Sequence, residues 1–429
     1  MKPKRLAGWT PPPGRADPVA ILAAQGETRI GELLPLRYAR MRASPFAFLR
    51  GAAAVMAGDL ATQPHSGQMV QLCGDAHLAN FGSYASPEGM PVFDLNDFDE
   101  TYPGPFEWDL KRLAASLAVS GRDAGFSDHD CRALATRAAR HYRRHIGRLA
   151  RLSPLEAWHS TINLGAAIAD IDHHKLRRRL EKRLRHAMEA SQDHYDLVNT
   201  DGAGISLKEP SSHTGAIRHL PQHAHTIEAA FAAYPATLQP HCADLFSRYR
   251  LVDRAFKVVG VGSVGTFCAI GLFASAANAP LLLQVKEAQV SVLARNLPGG
   301  PAYDAQGERV VIGQRRLQAQ SDIFLGWTPA PIGGRHFYVR RLKDGHLAQI
   351  GATIESDMLR FTAALCGRTL ARAHGRAGDA ATLAHAIAAF SDTRGDFDTA
   401  IADFAMDYAD QTERDHAAFC RALDCGKLA

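Results

Sequence analysis

Two short loops hold most of the side chains that could do chemistry. The first, in QLCGDAHLANFG, carries Asp75, His77 and Asn80; the second, in PVFDLNDFDE, carries Asp94, Asp97 and Asp99. A carboxylate and an amide five residues apart, followed by another carboxylate after an apolar run, suit magnesium held beside phosphate. Mg²⁺ takes hard oxygen ligands, usually one or two protein carboxylates, and fills its shell with phosphate oxygens and water. The same residue types are ordinary turn formers, so the chemistry depends on the elements that hold them.

Each loop follows a short apolar run that reads as a strand. A helix begins near Glu107, with Leu110, Leu113, Ala114 and Leu117 at the spacing of one buried face. Far downstream, AFKVVGVGSVGTFCAIGLFASAANAPLLLQVKEA (255–288) opens as an apolar strand and turns through Gly260-x-Gly262-Ser263-x-Gly265. Glycines let backbone N–H groups approach a phosphate closely. LLLQVKEA then reads as a strand carrying Lys286. The glycine pattern also fits a dinucleotide-binding turn with Glu287 as the ribose acid, which needs a helix directly after Gly265. Thr266-Phe267-Cys268 leans towards strand instead.

The acidic loops resemble the catalytic segment of the aminoglycoside phosphotransferase branch of the protein-kinase-like superfamily. Its pattern is H-G-D-x-x-x-x-N, a strand ending I-D-F-D, then G-P-x-x-x-D-L-A. Here the matching residues are Gly74-Asp75 with Asn80, Asn96-Asp97-Phe98-Asp99, and Gly104-Pro105 with Asp109-Leu110; Cys73 replaces the histidine. The resemblance implies an α+β, two-lobed kinase-like fold. It implies Asp75 as catalytic base, Asn80, Asp97 and Asp99 as Mg²⁺ ligands, and Asp109 bracing the loop from a helix start. It also implies that Gly260, Gly262, Ser263, Gly265 and Lys286 hold ATP. Glu308, near the start of a helix over 308–322, would then pair with Lys286, or serve only as a first-turn acid favoured by the helix dipole. Glu287 neighbours Lys286 on the strand and should face away from the cleft. The strand 336–342 is the expected linker to adenine.

In ordinary kinases the glycine loop and lysine precede the catalytic aspartate, and here they follow it. A circular permutation accounts for that, with the helix ending LARAHGRAGD in the place that leads into the catalytic loop. The whole pattern is also similar to a bacterial family of uncharacterised proteins, domain of unknown function 2252, which carries GDxHxxNFG and NDFDE. The expected activity is ATP- and Mg²⁺-dependent phosphoryl transfer to an unidentified hydroxyl acceptor, a small molecule or a protein. The alternatives are nucleotidyl transfer at the same site, a nucleotide-binding pseudokinase module kept open by Cys73, and last a dinucleotide-dependent enzyme.

The chain has 429 residues, 46% hydrophobic and 22% charged, an ordinary globular composition with room for several domains. We divide it into an N-terminal arm and helices (1–60), a helical catalytic lobe (61–250), a small β-rich nucleotide lobe (251–345), and C-terminal helices packing on the catalytic lobe (346–429). A net charge of +5 suits an anionic ligand. The basic run 173–186 lacks interleaved aromatics and reads as a solvated helix, so nucleic acid is not an expected partner. Arg37, Arg40, Arg42 and Arg50 offer either a phosphate or substrate clamp or, the reading we prefer, a solvated face with stems lying on apolar surface. The polar stretch 198–221 reads as a loop or lid. Seven scattered cysteines without a C-x-x-C pair read as reduced thiols in a cytoplasmic protein. The N-terminus lacks a signal peptide's apolar core, and no apolar run is long enough to span a membrane.

Overall fold

The computed structural model describes residues 8–193, 197–199, 204–208, 217–218, 221–258, 260–342, 356–390 and 396–428. Four short helices come first: α1 (Pro18–Gly26), α2 (Leu34–Arg42), α3 (Pro45–Gly51) and α4 (Ala53–Ala61). Asp17 and Ser44 cap α1 and α3 by accepting from Val19 N and Ala47 N, and each cap is followed by a proline in the first turn.

Four strands carry the acidic loops: β1 (Met69–Leu72), β2 (Phe81–Ala85), β3 (Pro91–Leu95) and β4 (Tyr102–Pro105). β2 and β3 form an antiparallel hairpin, and β1 pairs antiparallel with β4. Five helices follow: α5 (Phe106–Asp123), α6 (Asp128–Leu149), α7 (Pro154–His159), α8 (Leu164–Ala169) and α9 (His174–Asp193). α9 holds the basic run. It lays Leu176 and Leu180 on the core and leaves most of its Lys and Arg side chains exposed, as a solvated helix does.

β5 (Val198–Asn199) pairs with β6 (Ser206–Leu207), and β7 (Ile217–Arg218) edges the main sheet. These are the described parts of the expected loop or lid; the remainder lies outside the described residues. Next come α10 (Ala224–Ala233) and α11 (Pro240–Phe246), then β8 (Tyr249–Lys257), β9 (Cys268–Ser275) and β10 (Pro280–Glu287). α12 (Gln306–Leu317), β11 (Gly326–Trp327) and β12 (Phe337–Arg341) complete this part. The six strands run in the order β11-β12-β10-β9-β8-β7, every pair antiparallel.

Both faces of the sheet are packed. One face packs Phe273, Leu283 and Phe337 against Phe231, Tyr234 and Phe246 of the preceding helices. Residues of 224–249 therefore pack with the sheet. The opposite face packs Ala255, Ile270 and Leu282 against Val198 and Leu207.

The chain ends in α13 (Ser356–Ala377), α14 (Ala380–Ala389) and α15 (Asp396–Asp424). Leu110, Leu113 and Leu117 of α5 join Tyr142 of α6, Leu370 of α13 and Phe404 of α15 in the largest core. The C-terminal helices thus share one core with α5 and α6, in an α+β protein. Among the described residues no helix is long and apolar enough to cross a membrane.

Candidate functional site

β1 delivers the chain into Cys73 and Gly74, where the two loops meet. Gly74 has φ +89°, and a Cβ there would lie 2.0 Å from the Glu100 carbonyl oxygen, so the position needs glycine. Asp109, in the first turn of α5, accepts from Cys73 N at 2.7 Å and Gly74 N at 2.9 Å, one on each carboxylate oxygen. Its Oδ2 also lies 3.2 Å from His374 Nε2, and His374 Nδ1 lies 2.8 Å from the Tyr142 hydroxyl. Asp109, the acid expected to brace the loop, binds the loop backbone directly. The Cys73 thiol donates to Asp97 O at 3.1 Å. Burial pushes its pKa up, so it is a neutral thiol and no nucleophile.

Asp75 is held by one of its oxygens. Arg112 reaches Oδ1 through Nε at 2.8 Å and Nη2 at 2.7 Å, and Nη2 also donates to Leu49 O. Oδ2 stands 3.7 Å from His77 Nε2. Burial drives His77 down to about pH 4 despite the charge of Asp75, so near neutrality that histidine is uncharged. Asn80 donates from Nδ2 to the Asp75 carbonyl at 2.7 Å, which fixes its amide and leaves the amide oxygen as an acceptor.

The second loop separates three aspartates that look alike in sequence. Asp94 is buried and fully engaged with Arg372, Leu95 N and Ala319 N, so it serves the frame and not a metal. Asp99 accepts from Lys286 Nζ at 2.7 Å and from the Tyr338 hydroxyl at 2.6 Å, on different oxygens. Asp97 lies 3.6 Å from Lys286 through Oδ1. Burial would raise the Asp97 pKa, but Lys286 and then Arg340 hold it below the usual carboxylate range. Burial likewise opposes the Lys286 charge, and Asp97 and Asp99 more than offset it, so the ammonium is retained.

Gly260 (φ +68°) and Gly265 (φ +90°) turn the β8–β9 connection in left-handed backbone. Its tip comes down on the acidic loop, with Ser263 Oγ 3.5 Å from Asp99 Oδ2. The N-terminal segment holds its carbonyls: Arg29, between α1 and α2, donates to Gly262 O at 2.8 Å and Val264 O at 2.5 Å, and Arg40 of α2 to Gly260 O at 2.5 Å. A cleft of about 570 Å³, its open mouth included, is lined by Asp97 and Asp99 and by Arg29 and Arg50.

Several expectations need correction. Lys286 pairs with Asp99 and Asp97, not Glu308. The inward face of α12 presents buried Arg309, which donates to Thr101 O, Asp99 O and Gln289 O at 2.7 to 2.8 Å. One residue is about 100° of helix, so Glu308 falls off that face. Asp99, expected with Asn80 and Asp97 as a cation ligand, has both oxygens engaged, one by Lys286 and one by Tyr338. Glu287 does not leave the cleft: at the strand end it accepts from Phe267 N at 2.9 Å and Arg335 at 2.7 Å, and it lines the cavity. The dinucleotide turn fails because an antiparallel strand, β9, follows Gly265. The arginine segment is not a plain solvated face either. Arg37 is buried on Gly51 O, Arg40 donates to Gly260 O, and Arg42 pairs with Asp424 at the surface.

Sequence reasoning missed Arg112, Arg309, Tyr338 and His374. Arg112 alone left a trace, one helical turn after Asp109. Among the described residues no three His, Cys, Asp or Glu side chains gather to hold a metal by themselves.

Residues 29–422 match a family model described as "Uncharacterized protein conserved in bacteria (DUF2252)". No curated protein and no solved structure matches the chain.

Proposed function

The chain belongs to the DUF2252 family, and from its cleft we propose that it is an ATP- and Mg²⁺-dependent phosphotransferase of kinase-like build, acting on a hydroxyl acceptor. The observation that carries this is the meeting of Lys286 with the second acidic loop, 2.7 Å from Asp99 and 3.6 Å from Asp97, beneath the glycine loop. In kinases a glycine-rich loop covers the phosphates, a third-strand lysine holds them, and an aspartate and the catalytic-loop asparagine hold magnesium. β8, the glycine loop, β9 and Lys286 on β10 follow that layout, with α12 next.

The donor set fits magnesium. The Asn80 amide oxygen and the Asp97 carboxylate are hard oxygens, few enough to leave room for phosphate and water. These two would hold the ion, which supplies charge neutralisation across the phosphates. Asp75 keeps Oδ2 clear of Arg112, so it can orient the acceptor hydroxyl and take its proton. Lys286 positions the phosphates, and Asp99 and Tyr338 set the lysine's direction.

The inverted order is explained by a circular permutation. Gly378, just past α13, lies beside β1: a Cβ there would come 3.0 Å from Val70 Cγ1. A helix that runs straight into the catalytic strand in the family's usual order would pass through this point.

A thermal-shift screen with nucleotides, with and without Mg²⁺, tests the reading. A saturating nucleotide at about 100 times its Kd should stabilise the fold by about 2.7 kcal/mol. Product analysis with γ- and α-labelled ATP should then place the γ label on the acceptor. Transfer of the α label would make the protein a nucleotidyltransferase, and magnesium-independent indifference to every nucleotide would end the proposal.

A further inference from the structure

Arg50, near the end of α3, differs from the other arginines around the cleft. Arg29 and Arg40 donate to the glycine loop, Arg112 to Asp75, and Arg340 to Asn96 O. Among the described residues the Arg50 guanidinium has no hydrogen bond or ion pair, and its Nε is buried with no acceptor. The Nε of Arg29 is buried and unpartnered as well. Both side chains line the cavity that Asp97, Asp99 and Ser263 also line. Burial works against the charge of each; Asp75 returns part of the loss to Arg50, and Glu100 part of it to Arg29. A half-buried cation with unsatisfied donors is costly unless an anion completes it. The planar fork of a guanidinium matches a phosphate best, because it can donate two parallel hydrogen bonds.

We propose that Arg50 and Arg29 form a phosphate subsite in the cleft that Asp97 also lines. The site receives one phosphoryl group, either the terminal phosphate of the nucleotide or a phosphate carried by the acceptor. It deepens the phosphotransferase reading and rests on it for the donor, while the subsite itself is tested with inorganic phosphate alone.

The test measures binding of inorganic phosphate, ADP and ATP, with and without Mg²⁺, to the wild-type chain, Arg50→Ala and Arg50→Lys. Arg50→Ala breaks no hydrogen bond, so its apo melting point should match or exceed that of the wild type. Its phosphate affinity should fall by about tenfold or more, and Arg50→Lys, a charge without the fork, should lie between. If the terminal phosphate occupies the subsite, Arg50→Ala weakens ATP and spares ADP. If an acceptor phosphate does, both nucleotides bind unchanged and free phosphate binds beside ATP. Phosphate binding through Arg50 without nucleotide binding would keep the subsite and discard the phosphotransferase reading. Equal phosphate affinity in wild type and Arg50→Ala, or no phosphate binding by the wild type, overturns the subsite whether or not Mg²⁺-ATP binds.

Discussion

Replacing Asp99 and Asp97 one at a time by asparagine separates their roles. Asp99 holds Lys286 at 2.7 Å and the Tyr338 hydroxyl at 2.6 Å, while Asp97 stands 3.6 Å from the same ammonium. Lys286 is nearly sealed, its side chain 3% exposed, whereas the Asp99 side chain is 25% exposed. Unit charges about 4 Å apart attract by about 4 kcal/mol at an effective dielectric of about 20, before desolvation is counted. Removing one partner of a buried pair costs about 3–5 kcal/mol. Asp97 remains to share the lysine and solvent reaches Asp99, so Asp99→Asn should cost the apo protein about 2–3 kcal/mol. Asp97→Asn keeps the shorter contact and should cost less than about 1 kcal/mol. The order reverses for the metal: Asp97→Asn should abolish the magnesium-dependent nucleotide shift, and Asp99→Asn should retain it once the protein is folded. Denaturation of both apo variants, followed by nucleotide titration with and without Mg²⁺, gives all four values. A larger apo loss for Asp97→Asn, or a magnesium response that survives in Asp97→Asn and vanishes in Asp99→Asn, would refute this division of labour.

Asp75→Asn should bind Mg²⁺-nucleotide as the wild type does and lose about 10²–10⁴-fold in turnover, the usual worth of a positioned base; unchanged turnover removes Asp75 from that role. Glu100 provides a pH signature. Burial outweighs its hydrogen bond from Val292 N and lifts its pKa from 4.5 to about 7. Between those values the folded chain keeps a proton that the unfolded chain has released, so stability present below the window is lost as pH rises through it. Glu100→Gln should flatten that slope in denaturation midpoints measured at about pH 5 and pH 7.5; an unchanged slope assigns it to other groups.

The fold and the site were legible to different depths. Spacing announced the loops, because Asp75 with Asn80 and Asp97 with Phe98 sit between short apolar runs that can only be strands. The glycine pattern and Lys286 announced a hairpin and a third strand, and Lys286 does meet Asp99 across 187 residues. The lysine's carboxylate partner was not legible. It depends on the phase of α12, fixed by Val310, Val311 and Leu317 entering the core, and that rotation puts Arg309 rather than Glu308 inward. The roles of Asp94 and Asp99 were hidden because they depend on Arg372 and Tyr338, far along the chain. Nor does sequence show that Arg112 and Arg372 are buried, since arginine on an amphipathic helix usually reaches water. The packing of residues 224–249 was open too, because their apolar faces would suit either the helical core or the sheet.

The brace behind the first loop has a consequence for biosynthesis. Asp109 waits for His374, which follows it by 265 residues, and Asp94 waits for Arg372, which follows it by 278. At translation rates of about 5–20 residues per second the loops leave the ribosome on the order of tens of seconds before their partners exist. During that interval Asp94 has no counter-charge and Asp109 lacks its His374 partner, so the nascent chain cannot close over Asp94 without the cost of a lone buried ion. The acidic loops are made first and shaped last. A chain cut before α13 should therefore lack the native first loop even though every residue of that loop is present, and completion of α13, rather than emergence of the acidic loops, should set the moment at which that loop takes its native shape.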